Sequence, residues 1–349
     1  MTDTTVPAAV IFGCTGPVLT EAERALFAAA NPLGFILFRR NCETPEQVTA
    51  LTAALRDSVG RPDAPIMIDQ EGGRVARLRP PHWPTLPPAG RIGAIADDDL
   101  AKEAAWLHGR LLAATLAPLG IDMDCAPVAD VPQAGAHDVI GDRAFSRDPA
   151  RVALLAGAQA DGLLAGGVLP IVKHLPGHGR ATADSHKELP TVTADLATLD
   201  AVDFAPFKAL AGQPAGMVAH ILFTAVDARH PSSTSPLVIT KIVRGMIGFD
   251  GLLFSDDLDM RALSGTVAER AAAVVADGCC DVALHCNGTV EDMAAVAAVV
   301  PRLSEKAQER WARARARRPQ SIAQAAADDD AATIAAWRAR LIDLVGNWD

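Results

Sequence analysis

Residues 173–189, KHLPGHGRATADSHKEL, hold three histidines, two lysines and two acids in one stretch loosened by Gly177 and Gly179. It follows the apolar run GGVLPIV, so a buried segment gives way at once to ionisable groups. Asp184 stands two residues before His186. A carboxylate so placed can hold one ring nitrogen, orient the other and raise the imidazole's basicity. Such a histidine titrates near neutral pH and can act first as acid and then as base. For His178 the reading is a loop hydrogen bond only. Acids and cations recur in IDQEGGRVARL (Asp69, Glu71, Arg74, Arg77), in IGDRAFS (Arg143) and in LLFSDD (Asp256, Asp257). Lys173, His174, His220, Cys286 and Asn287 complete the set. Each has a plainer explanation. Asp69 could satisfy backbone amides before the glycine turn, Asp256 could cap a helix, and Lys173 with Asp69 could be a structural ion pair. His174, His178, His186, His220 and Asp256 could also be drawn as a metal site. No HxH follows the first apolar run and no HExxH occurs, so metal-independent chemistry without a cofactor is expected.

What would bring these residues together is the order of elements. Eight short apolar runs recur: AAVIFG (8–13), GFILF (34–38), PIMID (65–69), GIDMDCAPV (120–128), GVLPIVKH (167–174), GMVAHI (216–221), GLLFSD (251–256) and DVALHC (281–286). Each is too short for a helix and reads as a strand buried on both faces. Helix starts lie between them. Thr20 with Glu23 and Thr44 with Gln47 have capping-box spacing, Pro45 sits at a first helical position, and Asp148 precedes Pro149. Eight strands alternating with helices predict an α/β fold, a (β/α)8 barrel of the TIM type. In such a barrel the reactive groups sit where strands end, and the residues singled out above lie at the ends of runs or in the segments that follow them. An open doubly wound sheet is the rival, but FGCTGPV (12–18) lacks its GxGxxG spacing. The whole chain, 1–349, reads as one catalytic domain. Residues 301–349 form C-terminal helices packed on the barrel's outside, their basic cluster a solvated face.

Composition narrows the function. The chain has 349 residues, 50% hydrophobic and 21% charged, which suits a soluble globular protein. A net charge of −10 disfavours a nucleic-acid partner. The opening MTDTTVPAAV lacks a basic start and a long apolar core, and no run reaches membrane-spanning length. Six cysteines form no CxxC pair or zinc spacing, so reduced thiols in a cytoplasm are expected. Aromatics total 4% and tyrosine is absent.

Taken together, IDQEGGRVARL, KHLPGHG with TADSHKELP, and LLFSDDLDM resemble the family 3 glycoside hydrolases. More narrowly, they resemble the single-domain bacterial β-N-acetylhexosaminidases that act in peptidoglycan recycling. The resemblance covers about residues 8 to 290 in the same order. It implies Asp256 as nucleophile, His186 as acid/base assisted by Asp184, and Asp69, Arg77, Arg143, Lys173 and His174 as sugar-binding residues. It implies a retaining exo-β-N-acetylglucosaminidase acting on muropeptide fragments, a monomer whose partner is the carbohydrate alone, with no membrane. A β-N-acetylglucosaminide phosphorylase and an inactive sugar-binding sensor are the alternatives. Leu175 stands where phenylalanine is frequent and Asp259 where a small residue is usual, and Asp259 could alter local charge. The loop glycines would let the loop close over a bound sugar.

Overall fold

In the computed structural model, residues 6–185, 187–276, 278–318 and 330–348 are described. All eight apolar runs form strands of one closed parallel barrel. They are β1 (Ala8–Gly13), β2 (Pro32–Leu37), β3 (Ile66–Ile68), β4 (Met123–Asp124) and β5 (Leu169–Leu175). After a short β6 (Thr191–Val192) outside the barrel come β7 (Ala215–Val218), a short β8 (Leu222–Phe223), β9 (Leu252–Asp257) and β10 (Val282–His285). The ring closes where Ile11 of β1 pairs with Leu284 of β10 on one side and Gly34 of β2 on the other.

Alternation along each strand sorts the side chains. Ile11, Ile36, Met67, Ile171, Met217 and Phe254 join one cluster inside the barrel. Val10, Phe35, Ile68 and Val172 face outward into a second cluster under the helices. Burial on both faces is why each run reads as continuously apolar. β4 is shorter than its run, although the Ala126 and Pro127 carbonyls beyond it still accept the Ile171 and Lys173 N–H groups of β5. Val128 rejoins β5 through a bridge to Lys173.

Capping behaves as the side-chain chemistry directs. Thr20 and Glu23 make the reciprocal box. Thr44 accepts from the Gln47 N–H, but the Gln47 carbonyl oxygen takes the Glu43 N–H instead of closing the box. β6 and β8 pair in parallel, Thr191 with Leu222 and Val192 with Phe223. That small sheet ties the end of the loop after β5 to the segment after β7.

The helix Glu305–Ala316 crosses the end of the barrel where strands begin. Trp311, Ala307 and Ala314 belong to the interior cluster, so the helix closes the barrel from below. Its basic residues reach the segments leading into the strands. Arg310 pairs with Asp250 and Asp281, Arg313 with Asp250, Arg315 with Asp63, and Arg318 beyond it with Asp122. The cluster read as a solvated face is therefore engaged with the barrel floor. The helix Ala331–Val345 packs on Asp98–Leu116, with Trp337 edge-on to Trp106 and the Arg110 guanidinium 4.7 Å from the Trp337 ring centre. No described helix is long and apolar enough to cross a membrane.

Candidate active site

The other end of the barrel, where the strands finish, holds a cavity of about 350 Å³. Asp69, Arg77, Arg143, Lys173, His174, Asp184 and Asp256 all line it. His186, the expected acid/base, lies outside the described residues.

Five charges of alternating sign run along one wall: Arg77, Asp69, Lys173, Glu71, Arg143. Arg77 contacts Asp69 at 3.0 Å, and the Lys173 ammonium lies 2.9 Å from Asp69 and 2.6 Å from Glu71. Arg143 grips both oxygens of Glu71 at 2.8 and 2.7 Å, a bidentate geometry suited to the planar guanidinium. Burial opposes the charges of Asp69, Lys173, Glu71 and Arg143, but the opposite charges beside them outweigh it. Glu71 is pulled down to about 2, and Asp69 is held well below the usual carboxylate range. Lys173 and Arg143 are pushed up. These four stay ionised at neutral pH and their charges cancel, and the Arg77 guanidinium adds a positive charge beside them. Phe38 also lines it, flanked by the guanidinium carbons of Arg40 and Arg77 at 5.0 and 5.1 Å from its ring centre.

Asp256 is the last but one residue of β9, across from this wall, and is 7% exposed. One of its oxygens accepts the Asp257 N–H at 2.8 Å. Desolvation pushes its pKa up, while His174 and His220 pull it down further, so the carboxylate is ionised. Neighbouring Asp257 goes the other way. Burial first, then the negative charge of Asp259, raise it to about 6. Asp259 thus does alter the local charge, at Asp257, while keeping its own contacts to the Asn287 N–H and, at 3.4 Å, to His285.

Two histidines brace this corner. His220 is fully buried, with Nδ1 2.6 Å from the Ser233 hydroxyl and Nε2 3.1 Å from the Asp257 carbonyl. His174 has Nδ1 2.7 Å from Asp130 and Nε2 3.4 Å from Arg143. His178 is more than the expected loop hydrogen-bonder. It is buried, packs its ring at 5.6 Å from that of His174, and lies 3.4 Å from the Ser185 hydroxyl. Desolvation lowers it to about 4, so it is neutral.

The loop glycines have a packing reason. A Cβ at Gly179 would lie 2.2 Å from the Val131 carbonyl oxygen, and one at Gly177, where φ is +145°, about 3.0 Å from that of Asp203. The Gly179 carbonyl accepts the Gln133 N–H, and Arg180 binds Asp203 at 2.9 Å. The start of the loop is pinned to its neighbours as drawn. Leu175 is fully buried, and a Cβ at Gly216 would come within 2.5 Å of it.

Sequence reasoning put Glu71 at the mouth without a role and gave Asp130 none. Their signal was weak: an acid two residues after Asp69, and one at the end of APVAD. Among the described residues no group of three or more His, Cys, Asp or Glu could hold a metal ion.

Comparison with known proteins gives one answer. Residues 17–318 match the model of the glycosyl hydrolase family 3 N-terminal domain. A β-hexosaminidase of Chromobacterium violaceum is 44% identical over 298 residues, covering 84% of this chain and 82% of that protein. One from Pseudomonas aeruginosa is 42% identical over 287 residues, covering 81% and 84%. The crystal structure of NagZ from Neisseria gonorrhoeae, in complex with N-trifluoroacetyl-D-glucosamine, superposes with a TM-score of 0.87 at 34% identity. It covers 97% of this chain and 98% of its own.

Proposed function

The chain belongs to glycosyl hydrolase family 3, and on that ground we infer that it is a retaining exo-β-N-acetylglucosaminidase. Its substrate is a terminal β-1,4-linked GlcNAc on a muropeptide fragment, and residues 1–349 act as one catalytic unit. The observation that carries the reading is an ionised, buried Asp256 facing a wall of alternating fixed charges across a cavity of sugar size. The names of the relatives and the glucosamine derivative held by the gonococcal protein support the sugar class.

Asp256 attacks the anomeric carbon as the bond to the leaving oxygen breaks, and His186 gives that oxygen a proton. His186, now neutral, takes a proton from water, and the hydroxide formed displaces Asp256 from the sugar. Two displacements at one carbon retain its configuration. Asp184 orients the imidazole. Asp69, Arg77, Arg143, Lys173 and His174 hold the sugar. Because the wall is already ionised and internally paired, it needs no rearrangement when the sugar arrives.

A mechanism-based 5-fluoro GlcNAc donor tests the assignment. It should label the peptide containing FSDDLDM at Asp256, and Asp256→Asn should neither label nor turn over. Labelling at Asp69 or Asp257 would overturn the nucleophile. Products analysed with and without added phosphate separate hydrolysis from phosphorolysis.

A further inference from the structure

Asp130 follows β4 on the segment that rejoins β5, and it is fully buried. Three donors converge on its carboxylate. One oxygen lies 2.7 Å from Nδ1 of His174, and the other accepts the backbone N–H of His178 at 2.6 Å and that of His174 at 3.3 Å. The Ala129 N–H meets the Lys173 carbonyl at 2.7 Å, and the Gln133 N–H meets that of Gly179 at 2.9 Å, so this segment is fastened to β5 and its loop on both sides of Asp130.

We propose that Asp130 is a positioning residue for the sugar-binding site: it holds the His174 imidazole with its proton on Nδ1 and its Nε2 acceptor turned to Arg143 and the cavity, and ties that orientation to the loop after β5. The inference rests on the function proposed above for its use of the sugar, but not for its geometry.

The chemistry leaves little freedom. Both Asp130 oxygens face N–H groups, two of them from the backbone, so the group is a carboxylate and can only accept. The nitrogen 2.7 Å away must therefore carry the hydrogen. On the far side of the ring the neighbour is the Arg143 guanidinium, which can only donate, so Nε2 offers a lone pair. The ring is then an acceptor aimed at the cavity, fixed from behind by a charge-assisted bond. Asparagine cannot replace the carboxylate. If its amide nitrogen faces His174, the proton must move to Nε2, where it meets the N–H groups of Arg143. If it faces the loop instead, it meets the N–H groups of His174 and His178.

The test is the imidazole spectrum of the ¹⁵N-labelled whole chain, with His174 assigned by its loss in His174→Gln. In the unaltered protein the long-range ¹H–¹⁵N pattern of His174 should be that of the Nδ1–H tautomer, and the opposite pattern there overturns the proposal even if Asp130→Asn does not fold. In Asp130→Asn the pattern should reverse or mix. The KM for an aryl β-GlcNAc glycoside should rise roughly 3–10-fold, the loss expected of a hydrogen bond between neutral groups. Asp130→Glu should restore part of both. An Asp130→Asn protein that melts earlier but keeps the wild-type His174 pattern and KM shows a merely structural aspartate and sinks the proposal. The tautomer is read without turnover, so loss of the glycosidase reading alone would leave this result standing.

Discussion

The two ends of the barrel use the same side chains to different effect. At the floor, arginines of the helix Glu305–Ala316 meet aspartates ahead of the strands, and several pairs face water: Arg313 is 57% exposed and Asp250 59%. At the mouth, Lys173 is 2% exposed between Asp69 and Glu71. Exposed pairs are screened and fasten the helix only weakly, and the helix is held chiefly by Trp311 inside the barrel. Buried charges cannot be screened and must be satisfied by one another. The mouth therefore holds a rigid set of charges open to a ligand, whereas the floor mixes exposed pairs such as Arg313 with Asp250 and buried ones, Arg310 with Asp281 and Arg318 with Asp122. Access to the cavity, together with burial, separates a binding wall from a fastening.

The sharpest way to break this contrast is at the mouth. His186→Ala should lose roughly 10²–10⁴-fold on a GlcNAc disaccharide, whose alkoxide needs protonation to depart. On a nitrophenyl glycoside the glycosylation step should suffer far less. Deglycosylation still needs a base, so the covalent intermediate should accumulate and appear as a burst. Equal slowing with both leaving groups would make His186 a binding residue and send the search for the acid to Glu188.

Next come two substitutions that should resemble each other in stability and differ in activity. Lys173→Met leaves Asp69 and Glu71 without their shared cation and should cost about 3–5 kcal/mol in denaturant melts, together with a large rise in KM. Trp311→Ala opens a void in the barrel's lower interior and should cost about 3–5 kcal/mol as well, but with kcat and KM unchanged. A floor variant that lost activity while still folded would show the two ends to be coupled.

Asp257 gives a smaller, pH-dependent effect. Its folded-state pKa is about 6, against an ordinary value of 3.8, so the folded chain holds this proton more tightly than the unfolded one. The resulting stabilisation is full below about pH 4 and is lost as pH rises through 6. Asp257→Asn removes that loss, so its stability relative to wild type should improve by about 1–2 kcal/mol between those limits, partial solvent access having reduced the effect. A difference that did not change with pH would mean Asp257 ionises normally. Least of all, Arg313→Ala should change stability by no more than about 1 kcal/mol, and less still in high salt.

The strands, the (β/α)8 class and most residues lining the mouth are legible in the sequence because their signals are local. An apolar run flanked by turn residues marks a strand wherever its partners lie. A strand's last residues mark the mouth because every parallel strand in a closed barrel ends on the same side. Thr20 with Glu23, and Asp148 with Pro149, likewise need only their near neighbours. What escaped notice depends on distance along the chain. Arg143 meets Glu71 across 72 positions, and His174 meets Asp130 across 44. No spacing rule spans such gaps, so Asp130 looked like one more acid after a strand. The helix carrying Trp311 read as packed on the barrel's outside with its arginines solvated, because amphipathicity shows which face is apolar but not what that face will cover. The sequence by itself determined which segments become strands and which ionisable groups stand at their ends. Only the closed barrel decided which charges lose water, since desolvation is a property of everything packed around a group, and that choice made Lys173 a buried link and Arg313 an exposed one.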